Sequence, residues 1–405
     1  MNGVPTDPKE QHAARSSLRV AIVTETYPPE VNGVAMTMAR IVDGLRERRH
    51  RVQLIRPRQH GAERPGGRPG LEEVLVRGVP IPRYDALKIG MPARRALLRL
   101  WSLQPPDVVH VVTEGPLGWS ALAAARRLKL PVCADFHTNF HTYTRHYGIG
   151  WLHRPISAYL RRFHNKAQAN LVPTRQMRIE LEQLGMRNLR VVARGVDTAL
   201  FSPRRRNAQL RASWAAVNDD PVALYVGRIA PEKNLPLVLE AFEAMKQRNS
   251  RLRLVLVGDG PDRAALQSAF PGCVFAGMRH GEDLATHYAS ADIFLFPSTS
   301  ETYGNVTVEA MASGLAVLAY DYAAAAEHIR HGTSGLLARL HDAGEFTALA
   351  AALARDPGHA AHLGANARLV TEKLDWAWIV RDFERALFDV AGLGGLREPA
   401  PRPSA

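Results

Sequence analysis

Short runs of aliphatic and β-branched residues alternate along the chain with segments of helical periodicity. In the first half the apolar runs are LRVAIVTE (18–25), RVQLIRP (51–57), DVVHVV (107–112) and PVCADFH (131–137). Each is short enough for a strand, and helical patterns lie between them. This alternation predicts a parallel β-sheet with helical crossovers.

A second alternating series begins after a polar stretch punctuated by proline, FSPRRRNAQLRASWAAVNDDP (201–221), which is typical of a domain boundary. Its apolar runs are VALYVGR, LRLVLVGDG, CVFAG, DIFLFPS and LAVLAYD. The pattern therefore predicts an α/β fold with two doubly wound halves. Ligands of such sheets bind beyond the carboxyl ends of the strands, so we expect the two halves to face a central cleft.

The segment LDWAWIVRDFERALFDV near the end of the chain is amphipathic and long enough to pack on a domain. We therefore divide the chain into five parts. They are a disordered tail over 1–17, a first domain over 18–205, a second over 206–373, a helix over 374–391 crossing back to the first domain, and a disordered tail over 392–405.

Composition supports two ordinary cores, since the 405 residues are 46% hydrophobic. The first seventeen residues lack the apolar core of a signal peptide, and no apolar run approaches the roughly 18 residues of a membrane span. These features predict a protein that stays in the cytoplasm. Cys133 and Cys273 lie in separate strand-like runs, which favours two buried thiols over a disulfide or a metal pair.

The formal net charge of +13 is typical of proteins that bind anionic partners. The arginines are scattered, however, and no zinc-finger spacing, aromatic RNA-binding signature or basic zipper is present. We therefore predict no nucleic-acid partner. Anionic lipid headgroups and simple solubility explain the charge equally well.

The turn after the first strand, TETYPPEVNGVAMTMARIV, places Gly33 immediately before a helix. A helix N-terminus attracts an anion, and glycine lets a phosphate approach the backbone. A tight strand-to-helix turn is the alternative reading. Neither G-x-G-x-x-G nor a P-loop lysine follows this strand, which disfavours a dinucleotide or Walker-type site.

The second half opens with YVGRIAPEKN, in which Arg228 and Lys233 stand five apart between a strand end and a helix start. Two cations at such a place suit a diphosphate, because fixed positive charge stabilises a departing diphosphate. Ordinary surface charges are the alternative.

The stretch ETYGNVTVE (301–309) holds two carboxylates around the start of a predicted helix. The amides near Gly304, Asn305 and Val306 form a candidate anion site at this helix start. Glu301 is placed to accept hydrogen bonds from sugar hydroxyls. Glu309 lies among apolar residues, where a ribose diol would supply hydrogen-bond donors. A partner lysine or a partly exposed helix face is the alternative.

The stretch CADFHTNFHTYTRHYG follows a strand of the first half and contains His137, His141 and His146. No nearby cysteine or acid completes a metal-binding set, so we predict no metal site. His137 is a candidate hydrogen-bond donor at the strand end, and the other two bind the acceptor or are exposed. A satisfied structural histidine is the alternative for each.

Two segments, PIPRYDALKIGMPARRALLRLW (80–101) and WLHRPISAYLRRFHNKAQ (151–168), combine basic with apolar and aromatic residues. Both are suited to rest on an anionic bilayer, where each cation contributes on the order of 1 kcal/mol. Core helices with solvated arginine faces explain them equally well.

Together these motifs resemble the retaining GT-B glycosyltransferases of family four (group 1), from VTETYPPEVNGV through RGVDTALFSP and YVGRIAPEKN to YASADIFLFPSTSETYGNVTVEAMASG. The last segment matches the E-x7-E motif of the family as Glu301 and Glu309. FHTNFHTY looks most like the glycolipid-forming members, which include α-mannosyltransferases and sulfoquinovosyl or glucosyl transferases acting on diacylglycerol.

The resemblance implies that the first domain binds the acceptor and the second a nucleotide sugar, GDP-mannose or a UDP-hexose. It implies a role for each candidate residue. Gly33 would approach the donor phosphate, and His137 would contact the sugar. The diphosphate would be held by Arg228 and Lys233 together with the amides at Gly304, Asn305 and Val306. Glu301 would bind sugar hydroxyls, and Glu309 would bind the ribose. Tyr303 stands where phenylalanine or leucine is frequent, which is expected to change how the donor ring packs.

The implied enzyme is a retaining hexosyltransferase, with mannose favoured, acting on a lipid or glycan acceptor at the inner face of the cell membrane. No Asp-x-Asp pair occurs, so we expect no metal and no cofactor. A nucleotide-sugar epimerase of the same fold and a transferase with a soluble acceptor are the alternatives. A binding protein without turnover is the non-enzyme alternative, and the intact Arg228, Lys233, Glu301 and Glu309 argue against it.

Overall fold

The protein contains two mainly parallel sheets and one separate hairpin in the computed structural model, which describes residues 17–30, 32–81, 84–137, 153–217 and 219–393. The prediction of an α/β fold with two doubly wound halves is confirmed. The predicted tails 1–17 and 392–405 lie almost wholly outside the described residues, as do His141 and His146.

The first sheet has eight strands in the order β10-β9-β8-β7-β1-β2-β4-β3, and β5 pairs with β6 in the hairpin. All pairs in the sheet are parallel except β3 with β4. The strands are β1 (Arg19–Val23), β2 (Arg51–Pro57), β3 (Gly67–Arg68), β4 (Leu71–Val76), β5 (Gly78–Ile81), β6 (Tyr84–Gly90), β7 (Val108–Val111), β8 (Val132–Asp135), β9 (Ala169–Val172) and β10 (Leu189–Val191).

The second sheet has six strands in the order β13-β12-β11-β14-β15-β16, and every pair is parallel. Its strands are β11 (Val222–Val226), β12 (Arg253–Val257), β13 (Val274–Gly277), β14 (Ile293–Phe296), β15 (Ala316–Tyr320) and β16 (Leu336–Ala338). β11, β14 and β15 are buried along their whole length, as strands covered on both faces must be.

Helices connect the strands in both halves. They are α1 (Gly33–Glu47), α2 (Arg94–Leu103), α3 (Pro116–Arg127), α4 (His153–His164), α5 (Arg175–Gln183), α6 (Ala208–Ser213), α7 (Leu235–Lys246), α8 (Arg263–Ala269), α9 (Gly281–Ala289), α10 (Asn305–Ala312), α11 (Ala323–His328), α12 (Ala343–Arg355), α13 (Pro357–Thr371) and α14 (Trp376–Val390). None of these helices combines the length and the apolar character needed to cross a membrane.

Successive residues of β1 serve two different cores, because side chains alternate across a strand. Val20 and Ile22 pack with residues of α1 and α14 on one face. Ala21 and Val23 pack with residues of α2 and α3 on the other. The second half has one large core. Cys133 is a buried free thiol and Cys273 a half-buried one.

The last helix, α14, packs against α1 of the first half, and its residues Ile379, Val380 and Phe383 belong to the core of that half. Gly44 of α1 makes this approach possible, since a β-carbon there would lie 2.5 Å from Val380. Hydrogen bonds add to the apolar contact. The Glu384 carboxylate lies 2.8 Å from Nε2 of the buried His50 and also accepts from Arg48.

Glu384 gives a test of this contact. Burial alone would raise the pKa of Glu384, but its hydrogen bonds with His50 and Arg48 lower it below 4.5. A lowered folded-state pKa stabilises the protein above the unfolded value, and the gain is lost as pH falls through the folded value. We expect Glu384→Gln to reduce the free energy of unfolding by about 1–3 kcal/mol at pH 7 and by much less near pH 3, measured by urea denaturation.

Asp389→Asn on the same helix is the matched control. Asp389 is half exposed and pairs with Arg190 at the surface. Surface ion pairs contribute about 0–1 kcal/mol, so this variant should change little at either pH. Equal losses in the two variants would show that the Glu384 contacts do not hold the helix.

Candidate active site

Each sheet reverses its strand order at one point, and the candidate residues follow the strands beside these points. The reversal lies between β1 and β7 in the first sheet and between β11 and β14 in the second. Ligands of doubly wound sheets bind there, outside the carboxyl ends of the strands. Gly33 follows β1, Lys233 follows β11 and Glu301 follows β14. The topology thus places these three residues at the points where a ligand is expected.

The loop after β14 contacts the first half directly. The Thr302 hydroxyl donates to the carbonyl oxygen of His137 at 2.9 Å. The Tyr303 hydroxyl donates to the carbonyl oxygen of Arg194 at 3.0 Å. Since His137 follows β8 and Arg194 follows β10, these bonds join the carboxyl edges of the two sheets along one cleft.

Lys233 and Glu301 are in contact although they lie far apart in sequence. The Lys233 ammonium donates to Oε1 of Glu301. The Ser298 hydroxyl donates to the same oxygen at 2.7 Å. Both side chains remain less than one-fifth exposed. The parallel pairing of β11 with β14 explains the contact, because it brings the two exit loops side by side.

Arg228 lies beside this pair but is bound to another acid. Its Nη1 is 3.4 Å from Oε1 of Glu232, which is buried, while the Arg228 side chain is 42% exposed. The Tyr225 hydroxyl donates to the carbonyl oxygen of Arg228 at 2.9 Å and holds the backbone in place. The guanidinium is therefore anchored on one side and reaches solvent on the other.

The helix α10 begins without a side-chain cap. Gly304, the N-cap residue, has φ of +89°, a conformation that favours glycine, and it offers no side chain to accept from the first amides. Oδ1 of Asn305 is buried and has no hydrogen-bond partner within the described part of the chain. Val306 follows in the first turn and is half-buried. Uncapped amides at a helix start attract an anion.

Gly33, the first residue of α1, faces α10 across the cleft. A β-carbon at Gly33 would lie 3.6 Å from Nδ2 of Asn305. The start of α1 differs from that of α10 because the Asn32 side chain accepts from the amides of Val34 and Ala35 at 3.1 and 2.9 Å. Two helix N-termini therefore point at one place, and only the second is free of a side-chain cap.

Glu309 lies in the second turn of α10, and its Oε2 accepts a hydrogen bond from the Tyr288 hydroxyl at 3.0 Å. Burial raises the pKa of Glu309 to about 7, and the hydrogen bond from Tyr288 opposes the shift. The partner found here is a tyrosine rather than a lysine. A second carboxyl oxygen remains available for a further donor.

His137 is held by protein groups at both ring nitrogens. Nε2 lies 2.9 Å from Oδ2 of Asp135, and Nδ1 lies 2.8 Å from Nη2 of Arg194. Because arginine donates only, Nδ1 accepts and Nε2 carries the proton. Burial holds the pKa of His137 below its usual value, with Arg194 acting in the same direction. A sugar contact from this ring would require one of these bonds to be exchanged.

The acid Asp135 also lies 3.2 Å from Nε2 of the buried His110. Burial alone would raise the pKa of Asp135, but the neighbouring His110 and His137 hold this pKa well below its usual range. Among the residues that the structure describes, no group of three or more His, Cys, Asp or Glu side chains is arranged to hold a metal ion.

Sequence reasoning missed two carboxyls on the carboxyl edge of the first sheet. Glu25 follows β1 and accepts from the Leu117 amide at the start of α3 at 3.0 Å, and burial raises its pKa to about 7. Glu114 follows β7 and lies 3.2 Å from Nε2 of His164. Their position directly after strands was the available signal, since strand ends meet at the same edge.

Two family models match this chain, one in each half. A family model described as Glycosyltransferase Family 4 matches residues 31–200, and one described as Glycosyl transferases group 1 matches 220–356. A GDP-mannose-dependent alpha-mannosyltransferase of Mycobacterium tuberculosis is 38% identical over 327 residues, which are 79% of this chain and 83% of that protein. An alpha-monoglucosyldiacylglycerol synthase of Streptococcus pneumoniae is 27% identical over 75% of this chain and 71% of its own.

A solved structure, the sucrose-phosphate synthase of Thermosynechococcus elongatus, superimposes with a TM-score of 0.74 at 18% identity, over 92% of this chain and 99% of that one. At this identity the likeness shows the fold alone. The fold is GT-B, as the sequence motifs predicted.

The raised pKa of Glu309 gives a test of its burial. A carboxyl with a raised folded-state pKa destabilises the protein increasingly as pH rises from the ordinary value of 4.5 to about 7. We expect Glu309→Gln to increase the free energy of unfolding at pH 8, by on the order of 1–3 kcal/mol, and to have little effect at pH 4.5. Urea denaturation at the two pH values measures the difference.

Glu282→Gln is the control, because the Glu282 side chain is 80% exposed. This variant should show no gain between pH 4.5 and 8. If Glu309→Gln behaved in the same way, the Glu309 carboxyl would not be buried in its neutral form.

Proposed function

Because the chain belongs to the group 1, family 4 glycosyltransferases, we propose that it moves a hexose, with mannose favoured, from a nucleoside-diphosphate sugar to a lipid or glycan acceptor with retention at the anomeric carbon. The observation that carries the proposal is the contact of Lys233 with Glu301 beside the uncapped start of α10. Positive charge, free amides and a sugar-binding carboxylate then meet at one strand edge.

In this proposal the diphosphate of the donor lies between Lys233, Arg228 and the amides at Gly304, Asn305 and Val306. The Lys233 ammonium exchanges part of its contact with Glu301 for a phosphate oxygen. Fixed donors and a helix dipole stabilise the charge that develops on a departing diphosphate without reorganising. The site then performs the task of a divalent cation, so we propose transfer that does not depend on a metal.

The two carboxylates bind the neutral parts of the donor. Glu301 accepts hydrogen bonds from the sugar hydroxyls, and Glu309, on the same helix as the phosphate amides, accepts from the ribose diol. Gly33 allows the phosphate to approach the first half closely. A β-carbon at this position would face the side chain of Asn305, and glycine leaves that space free. His137 acts on the sugar from the opposite side of the cleft.

No protein nucleophile is needed for retention in a front-face reaction. The bond between the anomeric carbon and the phosphate oxygen breaks while the acceptor oxygen attacks from the same face, and the departing phosphate oxygen takes the acceptor proton. The enzyme contributes alignment of acceptor and donor together with stabilisation of the diphosphate.

The proposed lipid acceptor fits two basic helices of the first half. In α2, Leu97 and Trp101 are buried while Arg94, Arg95 and Arg99 are exposed. In α4, Leu160 and Phe163 are buried while the surface carries Arg154, Arg161 and Arg162 beside Tyr159, which is 44% exposed. We propose that these surfaces rest on an anionic membrane at its cytoplasmic face.

The primary test is incubation of the purified protein, in EDTA, with GDP- and UDP-sugars and with liposomes containing diacylglycerol or phosphatidylinositol. We expect acceptor-dependent release of the nucleotide from one donor and a glycosylated lipid by mass spectrometry. An epimerase would instead convert the donor without any acceptor. Loss of transfer in EDTA, restored by Mg²⁺, would contradict metal independence.

Site variants test the assignment within the same assay. Lys233→Ala and Glu301→Gln should each lower kcat about 10²- to 10³-fold, the usual effect of removing one stabilising group from a charged transition state. Lys246→Ala, an exposed lysine at the end of α7, is the control and should keep wild-type rates. Wild-type turnover in both site variants at saturating donor would exclude this site as the centre of transfer.

A further inference from the structure

A second cationic site lies at the carboxyl ends of β2 and β4. The two strands are parallel, with Pro57 paired to Val76, so the next residues of each, Arg58 and Arg77, leave the sheet side by side. The Arg58 amide donates to the carbonyl oxygen of Val76 at 2.9 Å and fixes this arrangement. Both arginines therefore stand on the same edge of the first sheet that carries Gly33.

The hairpin β5–β6 adds a third cation. Lys88 is paired with Pro80 in the hairpin. Gly78 holds the hairpin close, because a β-carbon there would lie 2.9 Å from the carbonyl oxygen of Arg58 and 3.4 Å from Cβ of Lys88. With His60 these residues line an open cavity of about 510 Å³, and none of the described residues that line it is acidic.

The described acids that lie nearest in sequence to Arg58 and Arg77 are bound elsewhere. Glu63 and Glu73 both pair with the buried Arg56, at 2.8 and 3.3 Å. Hydrogen bonds and charge from Arg56 lower the pKa of Glu63 against the effect of burial, which is consistent with its ionised state. Within the described residues, no carboxylate forms an ion pair with Arg58, Arg77 or Lys88. In the part of the chain that the structure describes, three cations thus converge on a cavity without a counter-charge, an arrangement that attracts an anion.

This cavity adjoins the cleft. Gln59, on its wall, donates from Nε2 to Oε1 of Glu30 at 2.8 Å. Glu30 in turn accepts from the Thr26 hydroxyl at 2.6 Å, and both belong to the loop between β1 and α1 that leads to Gly33. A ligand group in the cavity would lie on the first, acceptor-side half and outside the donor residues of the second half.

We propose that the cavity between Arg58, Arg77 and Lys88 binds a phosphoester carried by the acceptor. The inference rests on the proposed function, which assigns the first half to the acceptor. Guanidinium groups bind phosphate oxygens with two parallel hydrogen bonds, and a pair of adjacent arginines suits the charged oxygens of a phosphodiester or a phosphomonoester. The phosphoester belongs either to a lipid headgroup or to a free phosphorylated polyol.

Calorimetry with sn-glycerol 3-phosphate as the probe tests the cavity itself. The titration is made with an excess of GDP or UDP, so that the diphosphate site of the second half is filled. We expect Arg77→Ala to weaken binding about tenfold, the effect of losing one charge-assisted hydrogen bond, and Arg77→Lys to recover part of it. Arg248→Ala, an exposed arginine of the second half, should bind as the wild type does.

Vesicles distinguish the source of the phosphoester. With phosphatidylinositol in phosphatidylcholine, Arg77→Ala should bind and transfer less than the wild type, whereas with diacylglycerol in phosphatidylcholine the two should agree. A loss confined to glycerol phosphate would indicate a soluble phosphorylated acceptor. Equal behaviour of wild type, Arg77→Ala and Arg58→Ala towards both probes would overturn the proposal.

The outcome for the nucleotide separates this proposal from the proposed function. If the wild type binds GDP or UDP but the arginine variants bind glycerol phosphate normally, the anion site is wrong and the transferase site stands. If no nucleotide binds while Arg77→Ala still weakens glycerol phosphate binding, the anion site stands and the donor site is wrong.

Discussion

Two hydrogen bonds between the halves organise the cleft, because they fix the loop between β14 and α10 against the first sheet. Thr302 and Tyr303 both donate to backbone carbonyls of the opposite half, those of His137 and Arg194. They occupy the two positions between Glu301 and Gly304, so the Glu301 carboxylate and the start of α10 lie at the two ends of one anchored dipeptide. A change in the relative position of the halves must therefore move these two groups as well.

The titratable groups of the cleft are balanced in two different ways. In the second half, the Lys233 ammonium pairs with the Glu301 carboxylate. Glu309 receives only a hydrogen bond from the neutral Tyr288, and the pKa of Glu309 is about 7. In the first half, Asp135 is held ionised between His110 and His137. A buried ionised group needs partners, and a buried group without a charged partner becomes neutral. Among the described residues Glu309 has no charged partner, and burial accordingly raises its pKa.

Much of the candidate site in the second half can be predicted from the sequence, because the carboxyl ends of all strands in a parallel sheet lie at one edge. Lys233, Glu301 and the start of α10 each follow a strong apolar run, and this rule alone predicts that they are neighbours. The pairing of Arg194 with His137 is not readable in this way. It joins positions 57 residues apart within the first half, beyond the ends of β8 and β10, which are separated by β9, and no local pattern records such a contact. Glu25 was missed for a similar reason, since its partner Leu117 lies on a different crossover.

Tyr303, which stands where phenylalanine or leucine is frequent, contributes to the contact between the two halves. The expectation was that tyrosine at this position changes the packing of the donor ring. Its ring is buried, and its hydroxyl contacts the Arg194 carbonyl and lies 2.9 Å from Nε2 of His328. Burial lowers the pKa of His328 to about 4, so the imidazole is neutral at pH 7. Because the single hydroxyl proton of Tyr303 goes to the Arg194 carbonyl, Nε2 of His328 donates to the hydroxyl oxygen and brings no charge into the contact between the halves. Phenylalanine would fill the same space and leave a buried carbonyl unpaired, and an unpaired buried acceptor costs about 1–3 kcal/mol. The hydroxyl therefore belongs to the contact that positions Arg194, and through Arg194 it reaches the ring of His137.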